Sequence, residues 1–300
     1  VKPVALSASR GVIRADNPDQ LEQAIDRVRR ILLSMNDLDT DVKQYLLIEA
    51  FISGQEVAVE AILSEGQLSV LTIFDKPDPL EGPYFEETYY LTPTGLSQVV
   101  QDKIQSVLQA ACRAYGLSEG PVHAECRIRD DDVFVIEIAA RTIGGLCGRL
   151  LNFGTGFSLE ELVLSQAMGR QVEINKPEQA AGVLMIPIPA AGVLKRVEGL
   201  LEAQRVPYVD EVNIQIREGH ELIPLPEGAS YLGFIFAYAP TKQQTEQALR
   251  DAHARLKFVI APLWKIDTGE FDPGNINARD INQEKTGSVK TRSIKISQAN

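Results

Sequence analysis

Two apolar, β-type runs, residues 121–129 and 133–139, flank the triplet Asp130-Asp131-Asp132. No other stretch restricts the fold of this chain as much. Asp side chains stabilise tight reversals through local hydrogen bonds to their own backbone, so the pattern predicts a hairpin. A reversal centred on the triplet sets Glu125 directly opposite Glu137. Opposed side chains share one face of the pair, roughly 5 Å apart. Two carboxylates that close repel unless a cation neutralises them. Hard oxygen donors of this kind suit Mg²⁺, with Mn²⁺ as the alternative ion. Two solvated glutamates on an open sheet are the plainer reading, and their apolar neighbours argue against it.

Three further segments carry candidate chemistry. Arg141-Thr142-Ile143-Gly144-Gly145 follows the Glu137 strand at once. A guanidinium beside a Gly-Gly loop can hold a carboxylate or phosphate, with backbone N–H groups approaching closely; alone, Gly-Gly is a turn. Lys2 lies on an expected strand over 1–5 that runs into Ser7-Ala8-Ser9-Arg10-Gly11. A strand lysine beside such a loop could hold polyphosphate, although the P-loop pattern is absent, and an ordinary turn is the simpler reading. The segment 48–60 leaves an apolar strand through Glu49, turns at Gly54 and re-enters a strand with alternating glutamates, Glu56 and Glu60. In isolation it is a plain β-turn-β.

The rest of the chain frames these pieces. Asn17 caps a helix that opens with Pro18 and Gln20, and Leu21, Ala24, Val28, Ile31 and Leu32 give it one buried face. Strands are expected over 45–50, 57–63 and 68–74, a loop over 75–84, and helices over 96–115 and 158–168. After Gln171 the texture changes. Strands are expected near 180–190, 193–197, 209–217 and 231–239, and a helix over 241–259 opens with a capping pattern at Thr241. The fold class is α+β. Residues 1–171 read as one domain and 172–265 as a smaller α+β domain. Residues 266–300 are too polar to bury a core and read as a disordered tail. The chain opens at Val1 on a strand, which reads as a fragment lacking an N-terminal part.

Charge and cysteine content narrow the partners. The net charge is −11, and an acidic surface repels phosphate backbones, which argues against nucleic acid. No apolar run reaches the length of a membrane span, and no signal peptide is recognisable, so the cytoplasm is the expected compartment. Cys112, Cys126 and Cys147 show no paired spacing and read as buried or free thiols. His123, His220 and His253 are too dispersed for a metal triad and read as structural or exposed. A homodimer stays open.

Taken together and in this order, the four segments resemble the ATP-grasp superfamily, over residues 1 to about 170. Within it, the segment 74–88 and Tyr231–Ala237 are similar to carboxylate–amine ligases of the L-amino-acid ligase type. The resemblance implies an ATP-grasp fold followed by a C-terminal domain of that type, and ATP and Mg²⁺ as co-substrate and metal. The implied activity joins a small-molecule carboxylate to an amine. It also implies roles. Lys2 contacts the α and β phosphates, and Ser7, Ser9, Arg10 and Gly11 belong to the loop that covers them. Glu49, Ala50 and Ile52 hold adenine, and Glu56 binds ribose. Glu125 and Glu137 bridge the metal, Arg141 stands beside the transferred phosphoryl group, and Gly144 and Gly145 face the substrate carboxylate. Relatives usually carry Asn where this chain has Ala139, so a third metal ligand is lacking. Another ATP-grasp enzyme, carboxylase-like or of nucleotide biosynthesis, is the first alternative. A non-catalytic ATP-binding module is the second.

Overall fold

A computed structural model of the protein describes residues 1–151, 158–170, 179–266 and 296–298. The first strands are β1 (Lys2–Pro3), β2 (Leu46–Leu47), β3 (Gln55–Ser64), β4 (Gln67–Asp75) and β5 (Tyr89–Thr92). They are followed by β6 (Gly120–Arg129), β7 (Asp132–Ala139), β8 (Ala180–Ile186), β9 (Gly192–Glu198) and β10 (Val209–Ile214). The last are β11 (Glu221–Leu222), β12 (Gly233–Ala239), β13 (Lys257–Ala261), β14 (Trp264–Ile266) and β15 (Ile296–Gln298). The helices are α1 (Pro18–Leu33), α2 (Gln98–Ala114), α3 (Leu159–Ala167), α4 (Leu200–Gln204) and α5 (Lys242–His253).

An eight-stranded sheet in the order β10-β12-β8-β5-β4-β3-β6-β7 organises the molecule. Its β3–β6 part has two unlike faces, because side chains alternate along a strand. Val57, Val59 and Ala61 of β3 and Val122, Ala124 and Cys126 of β6 point to one side. There they pack on Val100, Ile104, Leu108 and Cys112 of α2. Glu56, Ala58 and Glu60 point to the other side, opposite Arg127, Glu125 and His123. The period of two therefore separates an apolar core from a charged face on the same strands.

A small lobe precedes the sheet. Lys2 and Pro3 pair with Leu47 and Leu46, and the expected strands over 1–5 and 45–50 shorten to these pairs. α1 packs Ala24, Val28 and Leu32 against Ile13. The Asn17 side chain accepts from the Gln20 backbone N–H at 2.9 Å, the capping contact the sequence predicts. Ile13 forms a bridge with Tyr84, which ties the small lobe to the loop after β4.

Beyond the expected 171/172 boundary, which lies outside the described residues, the same sheet continues. β5 pairs with β8, and β8 with β12. α5 covers this half with Ala248, Leu249 and Ala252. α5 is shorter than the predicted 241–259 helix. It ends at His253, and Lys257–Ala261 instead pairs with β9, where the β-branched Val259 and Ile260 fit a pleated surface. Most of the expected tail lies outside the described residues; Ile296–Gln298 pairs with Trp264–Ile266. Cys112, Cys126 and Cys147 are buried and free, as expected.

Candidate active site

The β6–β7 hairpin places Glu125 opposite Glu137, as the sequence predicts. It does so by a different route. Arg129 pairs with Asp132, so Asp130 and Asp131 alone make the turn, both at positive φ (51° and 62°). A bulge between the partners of Glu125 and Cys126 then inserts one residue on β7 and restores the alignment. Glu125 is mostly buried, whereas Glu137 is half-exposed with an oxygen 3.9 Å from Arg141.

Lys76, just beyond β4, occupies the centre of the charged face. Its buried ammonium donates to Glu56 at 2.8 Å, to Glu87, and to Glu125 at 3.3 Å. The oxygens of Glu56, Glu87 and Glu125 lie within 4.8 Å of one another. Burial opposes the charged form of Glu125, but Lys76 and then His123 outweigh it and hold the carboxyl below its usual range. Burial first, and then the charge of Glu125, push Glu87 upward. One of these two neighbouring carboxyls is thus kept ionised while the other favours its proton.

Glu56, expected at the ribose, is buried and held by two cations. Its two oxygens are committed to Lys76 at 2.8 Å and to Arg127 at 2.8 Å. Arg127 also donates to the carbonyls of Ile52 at 2.7 Å and Leu80 at 2.8 Å, fixing the segment expected to hold adenine. Gly54 permits that approach. A Cβ there would lie 2.1 Å from the Ile128 carbonyl oxygen, at φ +116°.

A second buried cluster adjoins the first. His123 Nδ1 is 2.5 Å from Glu60 and Nε2 is 3.8 Å from Glu125. Burial opposes the imidazolium, yet the Glu125 and Glu60 carboxylates raise His123 to about 9. The other oxygen of Glu60 accepts from the Ile143 N–H at 3.0 Å, inside the Arg141–Gly145 loop. His123, expected to be structural or exposed, is buried within the charged face. Ala139 is its cross-strand partner.

The expected nucleotide residues gather in the small lobe. Lys2 pairs with Glu49 at 2.5 Å. Ala8 and Ser9 adopt positive φ (54° and 55°), and Gly11 does so at 74°. Consecutive left-handed non-glycine residues are strained, and such strain is characteristic of functional loops. Within this loop the Arg10 Nε is buried and has no hydrogen-bond partner among the described residues. Ala50 is exposed, and Ile52 half-buried, beside this lobe. Gly144 is open to an incoming group, while a Cβ on Gly145 would meet Phe234 at 3.4 Å.

Lys76, Glu87, Arg127 and the Glu60–His123 pair were not singled out from the sequence. Lys76 and Glu87 lie in a Pro- and Gly-rich segment without periodicity, and a charged residue flanking a strand end was the available signal. The other pairs depend on β3 meeting β6, a contact between residues far apart in the chain.

Residues 1–149 match the family model for the ATP-grasp domain, and residues 184–261 match that for the L-amino acid ligase C-terminal domain 2. The chain carries an ATP-grasp domain followed by an L-amino acid ligase C-terminal domain. Protein y4rH of Sinorhizobium fredii is 23% identical over 275 residues, 91% of this chain and 55% of that protein. Dapdiamide A synthase of Enterobacter agglomerans is 21% identical over 295 residues, 92% of this chain and 63% of that enzyme. The crystal structure of an L-amino acid ligase from Bacillus licheniformis superposes with a TM-score of 0.73 at 29% identity, covering 84% of this chain and 62% of that one. The chain therefore spans 55–63% of the length of these relatives. The residues matched to the ATP-grasp model contain β3–β7, and no described helix is long and apolar enough to cross a membrane.

Proposed function

We propose that this ATP-grasp protein is an ATP-dependent carboxylate–amine ligase that forms an amide or peptide bond and releases ADP and phosphate. The observation that carries the proposal is the charged sheet face, where Lys76, Glu87, Glu125 and His123 cluster and Glu60 joins them to the Arg141–Gly145 loop. Its donors fit the groups the reaction needs. The buried, unpartnered Arg10 Nε suits a phosphate oxygen. Carboxylate oxygens suit a hard divalent cation. Glu125 and Glu137 would hold Mg²⁺, with Glu87 beside Glu125. Such an ion offsets charge developing on phosphate oxygens.

In the first half-reaction the substrate carboxylate attacks the γ-phosphorus of ATP in line, giving an acyl phosphate and ADP. Lys2, Arg10 and Arg141 bind phosphate oxygens and favour the charge that spreads over them. Glu49, Ala50 and Ile52 position the nucleoside, with Arg127 holding the Ile52 backbone. In the second half-reaction the amine attacks the acyl carbon, phosphate leaves, and the amine proton is released. Arg141 and the N–H groups of Gly144 and Gly145 orient the acyl group and its oxyanion. The loop at 7–11 excludes water, which would otherwise hydrolyse the acyl phosphate.

An oxygen-transfer experiment tests this chemistry. An acid labelled with ¹⁸O in its carboxylate should deliver one ¹⁸O to inorganic phosphate, read by the ³¹P chemical shift. Unlabelled phosphate accompanied by product would rule out the acyl phosphate. Ala139 favours a second reading, a module that binds ATP without turnover. That reading predicts nucleotide binding with no ADP release under any acid–amine pair.

A further inference from the structure

Glu60 is 1% exposed and His123 5% exposed, so a carboxyl and an imidazole are buried together between β3 and β6. Burying a carboxylate and an imidazole is unfavourable unless each polar atom is engaged. Here each engagement leads to a different part of the candidate active site. One Glu60 oxygen meets His123 Nδ1 at 2.5 Å. The other accepts the Ile143 N–H at 3.0 Å. His123 presents its remaining nitrogen, Nε2, to Glu125 at 3.8 Å. Of these four residues, Glu60, His123 and Glu125 contribute side chains from β3 and β6, and Ile143 contributes its backbone N–H from the loop after β7.

We propose that Glu60 and His123 are positioning residues that couple the Glu125 carboxylate to the conformation of the Arg141–Gly145 loop. Glu125 lies on β6 and the loop follows β7; beside the backbone pairing of these two strands, Glu60 and His123 supply a buried side-chain link between them. A shift of Glu125 on taking up a cation would move the imidazole, and Glu60 would pass that shift to the Ile143 amide. The geometry deepens the ligase reading of the site and rests on it for the role of the loop. The bridge itself is a property of the fold and can be measured without any reaction.

Two histidine variants separate the two ends. In His123→Asn the amide nitrogen replaces Nδ1 and still faces Glu60. In His123→Gln it replaces Nε2 and still faces Glu125. Hydrogen exchange of the 141–145 amides is measured on the full-length protein without nucleotide, together with Mn²⁺ affinity by electron paramagnetic resonance. Thermal midpoints identify variants that fold. Glu60→Gln should raise exchange of the Ile143 amide about tenfold. His123→Gln should raise it as well, while leaving Mn²⁺ affinity within about twofold. His123→Asn should keep the protection and weaken Mn²⁺ about tenfold. In turnover, Glu60→Gln should lower kcat about tenfold with the KM for ATP within twofold. Unchanged exchange at Ile143 in folded Glu60→Gln, or equal effects of the two His123 variants on both readouts, would overturn the coupling. The expected exchange pattern in a protein that releases no ADP with any substrate pair would support the bridge and count against the ligase reading.

Discussion

Lys76 stands among three carboxylates with its ammonium buried and no water to share its charge. Removing one partner of a buried ion cluster leaves uncompensated charge, which costs about 3–5 kcal/mol. Lys76→Met should lower the urea unfolding free energy by roughly that amount, less whatever Arg127 recovers at Glu56. His123 gives a pH signature. Its folded value, about 9, lies above the unfolded 6.5. A raised imidazole stabilises the fold fully below the unfolded value and loses that contribution as pH rises through the folded one. Stability should therefore decline between about pH 6.5 and 9, by at most ~3 kcal/mol. In His123→Gln, unfolding measured across that window should lose this slope. At this scale the sequence was partly legible. Glu125 was recognisable because it shares a strand with apolar neighbours and an acidic partner. Lys76 and Glu87 were not, because no periodicity marks a loop that turns back onto a sheet. The engagement of Glu56 by Lys76 and Arg127 was not legible either, because it requires separate strands to meet.

The hairpin of β6 and β7 shows how an element can be predicted correctly through compensating details. A symmetrical three-residue reversal and a two-residue turn with a later bulge both place Glu125 against Glu137, and an alternating apolar pattern does not distinguish them. The turn residues adopt left-handed φ, where Asp is tolerated and Asn-Gly is preferred. Replacing Asp130-Asp131 by Asn-Gly should stabilise the protein by about 0.5–1 kcal/mol, seen as a higher thermal midpoint. Gly54 predicts the opposite effect. Its Cβ position collides with the Ile128 carbonyl, so Gly54→Ala should destabilise by roughly 2–4 kcal/mol and loosen the Arg127–Ile52 contact. The helix expected over 241–259 was overextended because its last turn carries no Gly or Pro stop. The strand Lys257–Ala261 became visible only through its pairing with β9.

At the scale of the whole molecule, one sheet joins the half that carries the candidate active site to the half that carries the C-terminal domain. The small lobe is also fastened to that second half. The Gly11 N–H donates to the Pro226 carbonyl at 2.9 Å, and Arg27 forms a two-armed ion pair with Glu227 at 2.7 and 3.0 Å. If the 7–11 loop covers phosphate as proposed, Glu227→Ala should raise the KM for ATP several-fold by loosening that loop, with a thermal midpoint close to the parent's because the pair is partly exposed. The two-domain reading of the sequence came from the change in texture near residue 171. A sheet shared across that change was not legible, since strand order is set by long-range pairing rather than by local pattern. The central claim is that this arrangement joins an acid to an amine. Its most direct test is ADP release by the full-length protein across pairs of L-amino acids and simple amines, with single substrates as controls. The account predicts release that requires both an acid and an amine, is lost in Glu125→Ala, and accompanies a new amide. ATP binding without release under any pair would contradict it.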